Sequence, residues 1–247
     1  MKDQNIVVCH HGHSNDPTNW FNWVDINCIP YTLTEVTFFA TGCLMWIVAY
    51  AIMLRNAYKF KFIEMAAIAG ASNFAWEILW GSFFYQTDMG LFLVWTYRAW
   101  LLFDLFIFYK LVQYGHKQYE NKIIRKNFKW LCCLVAIFFF GVYYFLGDQG
   151  YETPIGSVSA YICQFVISIL CLVLIIRRPN LHGFSGHVAW LRCFGTGLVS
   201  VFMFLHYPHN HFVHWLCLWS WICDCCYMYI FWKRWRIEKQ MTSGVLN

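Results

Sequence analysis

The chain has 247 residues, 60% of them hydrophobic and 13% charged, and its net charge is +5. A soluble domain carries about 25% charged residues, so this composition excludes a water-soluble globule and fits one bundle in lipid. The positive balance follows from topology and contact with anionic lipid, and gives no reason to invoke nucleic acid.

The first thirty residues carry Asp3, His10, His11, His13, Asp16 and Asp25 and lack an apolar core. They read as a polar outer segment, not a signal peptide. Cys9 and Cys28 lie there and are free to pair if that side is oxidising. Most other cysteines fall in apolar runs, where a thiol acts as a small hydrophobe.

A spanning helix needs roughly 20 apolar residues. Seven runs qualify: 31–54, 62–84, 90–114, 128–146, 154–176, 187–207 and 212–232. Lys and Arg set the orientation. The N-terminus and the links near Asp88, Asp148 and Asn210 hold one basic residue between them, Lys2. The other links and the C-terminus hold the great majority, among them Arg55, Lys59, Lys61, Lys117, Arg125, Arg177 and Lys233. The predicted fold is therefore all-α: a polytopic seven-transmembrane-helix bundle, N-terminus outside and C-terminus cytosolic. Residues 1–30 form the outer segment, 31–233 the membrane domain and 234–247 a polar cytosolic tail. The host membrane is a bacterial plasma membrane or the endoplasmic reticulum.

Ionisable groups in hydrocarbon are costly and mark candidate functional sites. Helix 1 carries Glu35 near its outer end, and helix 2 carries Glu64 near its inner end. Glu64 is expected at headgroup level beside Lys61, without a chemical role. Helix 2 continues as ASNFAWEILW, which sets Asn73 and Glu77 four apart on one face. An amide there is able to orient the carboxyl by hydrogen bonding. Helix 3 reads WTYRAWLLFDLFIFYKLVQYG; Trp100, Asp104 and Phe108 share a face, while Arg98 points elsewhere. Arg98 or a backbone group is the expected partner of Asp104. Helix 7 reads HWLCLWSWICDCCYMYIFW, with Trp221, Asp224, Tyr227 and Met228 in one stripe. Packing between helices accounts for such groups singly. Glu77 and Asp224 together favour function, because both are flanked by Trp and Arg98 is the clear basic residue inside the membrane.

Burial disfavours the charged form of an acid, so a carboxyl in a dry aromatic pocket is able to keep its proton and donate it. Aromatic faces attract cations. That combination suits carbocation chemistry on a hydrophobic polyene: protonation of an epoxide or alkene, ring closure, and proton loss to a base. No metal or other cofactor is expected, since no diphosphate has to leave. The partners implied are the bilayer and a hydrophobic isoprenoid substrate, epoxidised or not.

NFAWE (Asn73 to Glu77), RAWLLFD with FYKLVQYG in helix 3, and DCCYMYI in helix 7 occur in order. On these motifs the chain resembles the membrane-integrated terpene cyclases of fungal meroterpenoid and indole-diterpene pathways, a family with bacterial relatives. The family has seven helices, so the resemblance covers nearly the whole bundle. It implies that Glu77 and Asp224 are the essential acids, one of them starting cyclisation. It also implies an isoprenoid substrate, often a prenylated aromatic or indole with a terminal epoxide. On this reading Asn73 orients Glu77, with Arg98 and Asp104 in support. Trp76, Trp80, Trp100, Trp221 and Tyr227 are candidate cation-stabilising walls.

Two rival readings are weighed against it. His206, His209, His211 and His214 surround the link between helices 6 and 7, on the same side as His10, His11 and His13. Such a set suits a membrane hydrolase that activates water on a metal. Against it, helix 7 has no His-x-x-x-His pair. A seven-helix sensor or transporter is the other rival, since fold does not fix function. A retinal-binding opsin needs a lysine in helix 7, and residues 212–232 contain none.

Overall fold

Without water to satisfy them, backbone N–H and C=O groups in hydrocarbon must pair within the segment, which forces apolar runs into helices. The computed structural model describes residues 31–83 and 89–242. The expectations for Cys9, Cys28, His10, His11, His13, the link at Asp88 and the last five residues lie outside the described residues. The described residues form seven α-helices and no strand: α1 Leu33–Phe60, α2 Ala67–Ile78, α3 Gly90–Tyr114, α4 Lys122–Asp148, α5 Ser157–Arg177, α6 Gly186–His206 and α7 His211–Thr242. α2 passes directly into a π-helical turn, Leu79–Phe83, and α3 into a 3-10 turn, Gly115–Gln118. One helix lies in each expected run.

The helices α1, α4, α5 and α6 are long and apolar enough to cross a membrane. α2 is only 12 residues long before its π turn, while α3 and α7 are rich in Trp, Tyr and ionisable residues. Several helices outrun the apolar runs. α1 extends to Phe60, past Arg55 and Lys59, and α7 passes unbroken through the expected start of the tail to Thr242. Lys and Arg tolerate this, because their stems lie along apolar surface while the charge reaches water.

Local chemistry fixes several helix ends. Thr32 and Glu35 form a capping box at the start of α1, with Glu35 Oε2 accepting from Thr32 N at 2.6 Å. Glu35 Oε1 also meets His206 Nδ1 at 3.3 Å, so this acid is spent on the helix start. Lys61 closes α1 in the left-handed conformation, with φ 51°. Gln118 Oε1 accepts from Ala67 N at 3.1 Å while its Nε2 donates to Met65 O at 2.7 Å, pinning the start of α2.

α2 is central, packed against α3, α4 and α5. Its first turns are buried Ala67, Ala69, Gly70, Ala71 and Ser72, small residues that let neighbouring backbones approach. α1 lies along α6 and also meets α3, while α7 lies against α5 and α6. At the α1–α6 crossing a Cβ on Gly42 would stand 2.8 Å from the Gly195 carbonyl oxygen, so no larger residue fits. α4 is the most peripheral of the apolar helices, with only 11% of its most apolar stretch buried.

One ion pair ties α6 to α7. Arg192 Nη2 lies 2.7 Å from Asp224 Oδ1, and both side chains are almost fully buried, at 2% and 1% exposure. The guanidinium also stacks over the rings of Tyr227, at 4.8 Å, and Trp46, at 5.7 Å. Thr196 Oγ1 donates to the other carboxylate oxygen, Oδ2, at 2.8 Å. Sequence reasoning passed over Arg192, although it is the one Lys or Arg inside its apolar run.

Removing one member of a buried pair strands the other and costs about 3–5 kcal/mol, whereas replacing both with apolar residues is often neutral. Arg192→Leu and Asp224→Leu alone are therefore expected to lower thermal stability in detergent sharply. The double variant is expected to recover most of that loss, measured as the midpoint of thermal unfolding.

Candidate active site

α1, α2, α3, α5 and α6 enclose a chamber of about 120 Å³ in the bundle. α1 contributes Phe39, Cys43, Trp46 and Tyr50, spaced 4, 3 and 4 apart along one helical face. α2 contributes Asn73, Trp76 and Glu77, and α3 contributes Tyr97 and Trp100. Ser157, Tyr161 and Gln164 of α5 and Thr196 of α6 add further polar side chains. The wall is dominated by aromatic rings, with few polar groups among them.

The aromatic wall is held rigidly. Trp76 and Trp80 are stacked with centroids 6.0 Å apart, and Tyr97 meets both edge-on. The indole N–H groups of Trp76 and Trp80 both donate to Ser159 Oγ, at 2.9 and 3.4 Å. Ser159 sits in the first turn of α5, whose exposed N–H groups are capped by Glu152. Its carboxylate accepts from Val158 N at 2.7 Å and Ser159 N at 2.8 Å. Tyr97 Oη donates to Ile155 O at 2.7 Å. Gly156, with φ 75°, lies so close to Trp80 that a Cβ would sit 2.4 Å from the ring. The α4–α5 link is thus fastened onto Trp80 and Tyr97, and through them onto Trp76.

Three polar residues from three helices meet beside this wall. Asn73 Nδ2 donates to Asp104 Oδ2 at 2.6 Å and to Tyr50 Oη at 2.9 Å. Asn73 Oδ1 accepts a weaker bond from Cys163 Sγ at 3.6 Å. Glu77, one turn along α2, is 4% exposed, and its Oε2 has no hydrogen-bond partner. Of these two buried carboxyls, Asp104 is held by the Asn73 amide and Glu77 is not.

The sequence-predicted residues separate into three groups. Asn73, Trp76, Glu77 and Trp100 line the chamber. Asp104 and Trp80 lie directly behind them, Asp104 bonded to Asn73 and Trp80 stacked on Trp76. Asp224, Trp221, Tyr227 and Arg98 do not line the chamber. Asp224 is turned to Arg192, though it reaches the wall through Thr196. Trp221 is 44% exposed on α7. Tyr227 donates a hydrogen bond to Glu64. Arg98 lies over the Trp95 ring, 4.7 Å from its centroid.

Three expectations change as a result. Asn73 orients Asp104 and Tyr50 in place of Glu77, because its amide nitrogen is fully engaged across to α1 and α3. Asp104 accepts from Asn73, while Arg98 lies over Trp95. Glu64 is buried, at 2% exposure, and accepts from Ser185 N at 2.9 Å as well as from Tyr227, so it does not sit solvated beside Lys61. Sequence reasoning also missed Trp46, Tyr50, Tyr97, Gln164 and Thr196. The helical spacing of Phe39, Cys43, Trp46 and Tyr50 was the signal available for α1.

Among the described residues, the histidines around the α6–α7 link do not converge. His206 is stacked on Tyr31 with centroids 4.1 Å apart, His214 is stacked on Phe204 at 4.2 Å, and His209 and His211 are exposed. Among the described residues no three His, Cys, Asp or Glu side chains gather as a metal-ligand set.

Comparison with known proteins agrees with a membrane protein. Residues 28–237 match the model of the Pyr4-like transmembrane terpene cyclases. The chain is 22% identical over 227 residues to the terpene cyclase pyr4 of Aspergillus fumigatus, covering 85% of this chain and 93% of that protein. It is 27% identical over 209 residues to the terpene cyclase atmB of Aspergillus flavus, covering 75% and 81% of the two chains. It is 22% identical over 240 residues to the terpene cyclase ascF of Acremonium egyptiacum, covering 83% and 84%. No solved structure matches. These relatives are fungal. With its membrane-type helices and a match over most of its length, the chain belongs to the Pyr4-like transmembrane terpene cyclase family.

Proposed function

We propose that this cyclase starts its reaction by proton transfer from Glu77 to an isoprenoid epoxide or alkene held in the aromatic chamber. The observation that carries this reading is the unpartnered, buried Oε2 of Glu77 at the chamber wall. An isolated carboxylate in an apolar site is too costly to persist, so such a group stays neutral and retains a proton to give. Asp104, held by Asn73, adds a second acid, and two carboxyls in one dry site do not ionise together.

The chemistry then runs on the walls. Protonation of the substrate leaves a carboxylate on Glu77 and a positive centre on the polyene. Each ring closure moves that centre along the chain, past the π faces of Trp46, Trp76, Tyr97 and Trp100, which favour a cation at close range. The new carboxylate of Glu77 stands within the chamber as base, and loss of a proton to it ends the reaction and restores the acid. The net change is an isomerisation, with no atom lost. Asp224 assists from behind the wall as half of an ion pair, acting through Thr196.

We also propose seven membrane crossings with the N-terminus outside. The support is the concentration of Lys and Arg on alternate links. The endoplasmic reticulum is the membrane we favour, because the relatives come from fungi.

Two outcomes are expected. Glu77→Gln keeps the shape of the site but removes its proton, and cyclisation of a farnesylated aromatic epoxide should fall by about 10²–10⁴-fold, measured as product formed by purified protein in lipid. A variant that cyclises at the wild-type rate would remove Glu77 from this role. A cysteine placed in the α4–α5 link, such as Tyr151→Cys, should react with an impermeant thiol reagent from the outer side only. Labelling from the cytosolic side would invert the proposed orientation.

A further inference from the structure

Asp224 does not line the chamber, yet a chain of hydrogen bonds runs from it to a residue that does. Its carboxylate is half of the ion pair with Arg192, so it only accepts. Thr196 Oγ1 lies 2.8 Å from Asp224 Oδ2, and its single hydroxyl hydrogen is therefore committed to that bond. The Thr196 oxygen is left to accept from Gln164 Nε2, 3.1 Å away. The second N–H of the same amide points to Ser168 Oγ at 3.0 Å, a residue that is completely buried.

These bonds settle which way the Gln164 amide faces, a choice that a hydrogen-bond network alone decides. With the nitrogen fixed toward Thr196 and Ser168, the carbonyl oxygen is the end left over. Gln164 lines the chamber, and no hydrogen bond among the described residues uses that oxygen. The chamber thus holds two oriented polar ends from different helices: the Glu77 carboxyl on α2 and a Gln164 carbonyl oxygen on α5. The second is an acceptor with no proton of its own.

We propose that Gln164 is a specificity-determining residue whose carbonyl oxygen accepts a hydrogen bond from a hydroxyl or N–H on the head group of the isoprenoid substrate. Arg192, Asp224 and Thr196 are positioning residues that hold the amide in that sense. The inference rests on the chamber being the substrate site, but not on Glu77 being the acid. A ligand carrying a donor satisfies the oxygen. A ligand without one buries it unpaired, and that penalty is the source of the selectivity. The same arrangement assigns Asp224 an effect on the reaction without contact with the reacting atoms.

The test uses unreactive probes, so that it reads recognition and not proton transfer. A phenol bearing a fully hydrogenated farnesyl chain and its O-methyl ether are titrated into the full-length protein in lipid nanodiscs, and tryptophan fluorescence gives each Kd. The wild type should bind the phenol about tenfold more tightly than the ether. Gln164→Met, similar in size but without an acceptor oxygen, should bring the ratio to about one. Thr196→Val releases the amide and should lower the ratio, whereas Thr196→Ser, which keeps the hydroxyl, should retain it. A wild-type ratio near one, or a ratio that survives in Gln164→Met, overturns the proposal, since a merely steric preference for the phenol does not need Gln164. Because neither probe can be cyclised, loss of turnover in Glu77→Gln and loss of discrimination at Gln164 are separate results.

Discussion

Hydrocarbon gives a buried carboxyl no water, so each one in this bundle is either satisfied by the protein or left with its proton. Four of the five buried carboxyls among the described residues are satisfied. Glu35 caps α1 and meets His206, Glu64 is bonded by Tyr227 and a backbone N–H, Asp104 by Asn73, and Asp224 by Arg192 and Thr196. Glu77 is the exception among the described residues, with an oxygen that nothing in the protein bonds. It is also the carboxyl that lines the aromatic chamber. The other four serve to build the bundle that makes this exception tolerable.

The surroundings of that group are rigid for identifiable reasons. A π-helical turn follows Glu77 by one residue, a feature often found where a helix is shaped around a site. The two indoles on α2 are anchored to one serine at the start of α5, and the α4–α5 link is closed by a glycine that only a left-handed backbone and a missing Cβ allow. Rings fixed in this way need not reorganise before acting on a charge, which is what makes preorganised electrostatics effective. The small residues of α2 and the close α1–α6 crossing bring the walls together.

Much of this was legible in the chain itself. The seven apolar runs each hold a helix, because length and hydropathy act locally and do not depend on partners. NFAWE correctly brought Asn73, Trp76 and Glu77 to one wall, since helical periodicity fixes which residues share a face. What failed was pairing across helices. Glu77 and Asp224 look alike in sequence, but one faces the chamber and the other faces Arg192, and no single-helix pattern reveals the rotation of α7 against α6. Arg192 itself was overlooked within an apolar run, so Asp224 was read as an acid without a counter-charge. Tyr227 and Trp221 follow from the same error: one turns inward to Glu64, and the other is partly exposed on the bundle surface. The family resemblance compensated, because it rests on the order of motifs and not on their rotation.

The central claim is that Glu77 rests as a neutral acid while Asp224 rests as the anionic half of an ion pair. Infrared spectroscopy of the purified enzyme in lipid at neutral pH tests this directly, through the carbonyl stretch that only a protonated carboxyl shows. The account predicts such absorption in the wild type, diminished in Glu77→Gln and unchanged in Asp224→Asn. Absorption unchanged in Glu77→Gln, or diminished in Asp224→Asn, would contradict it.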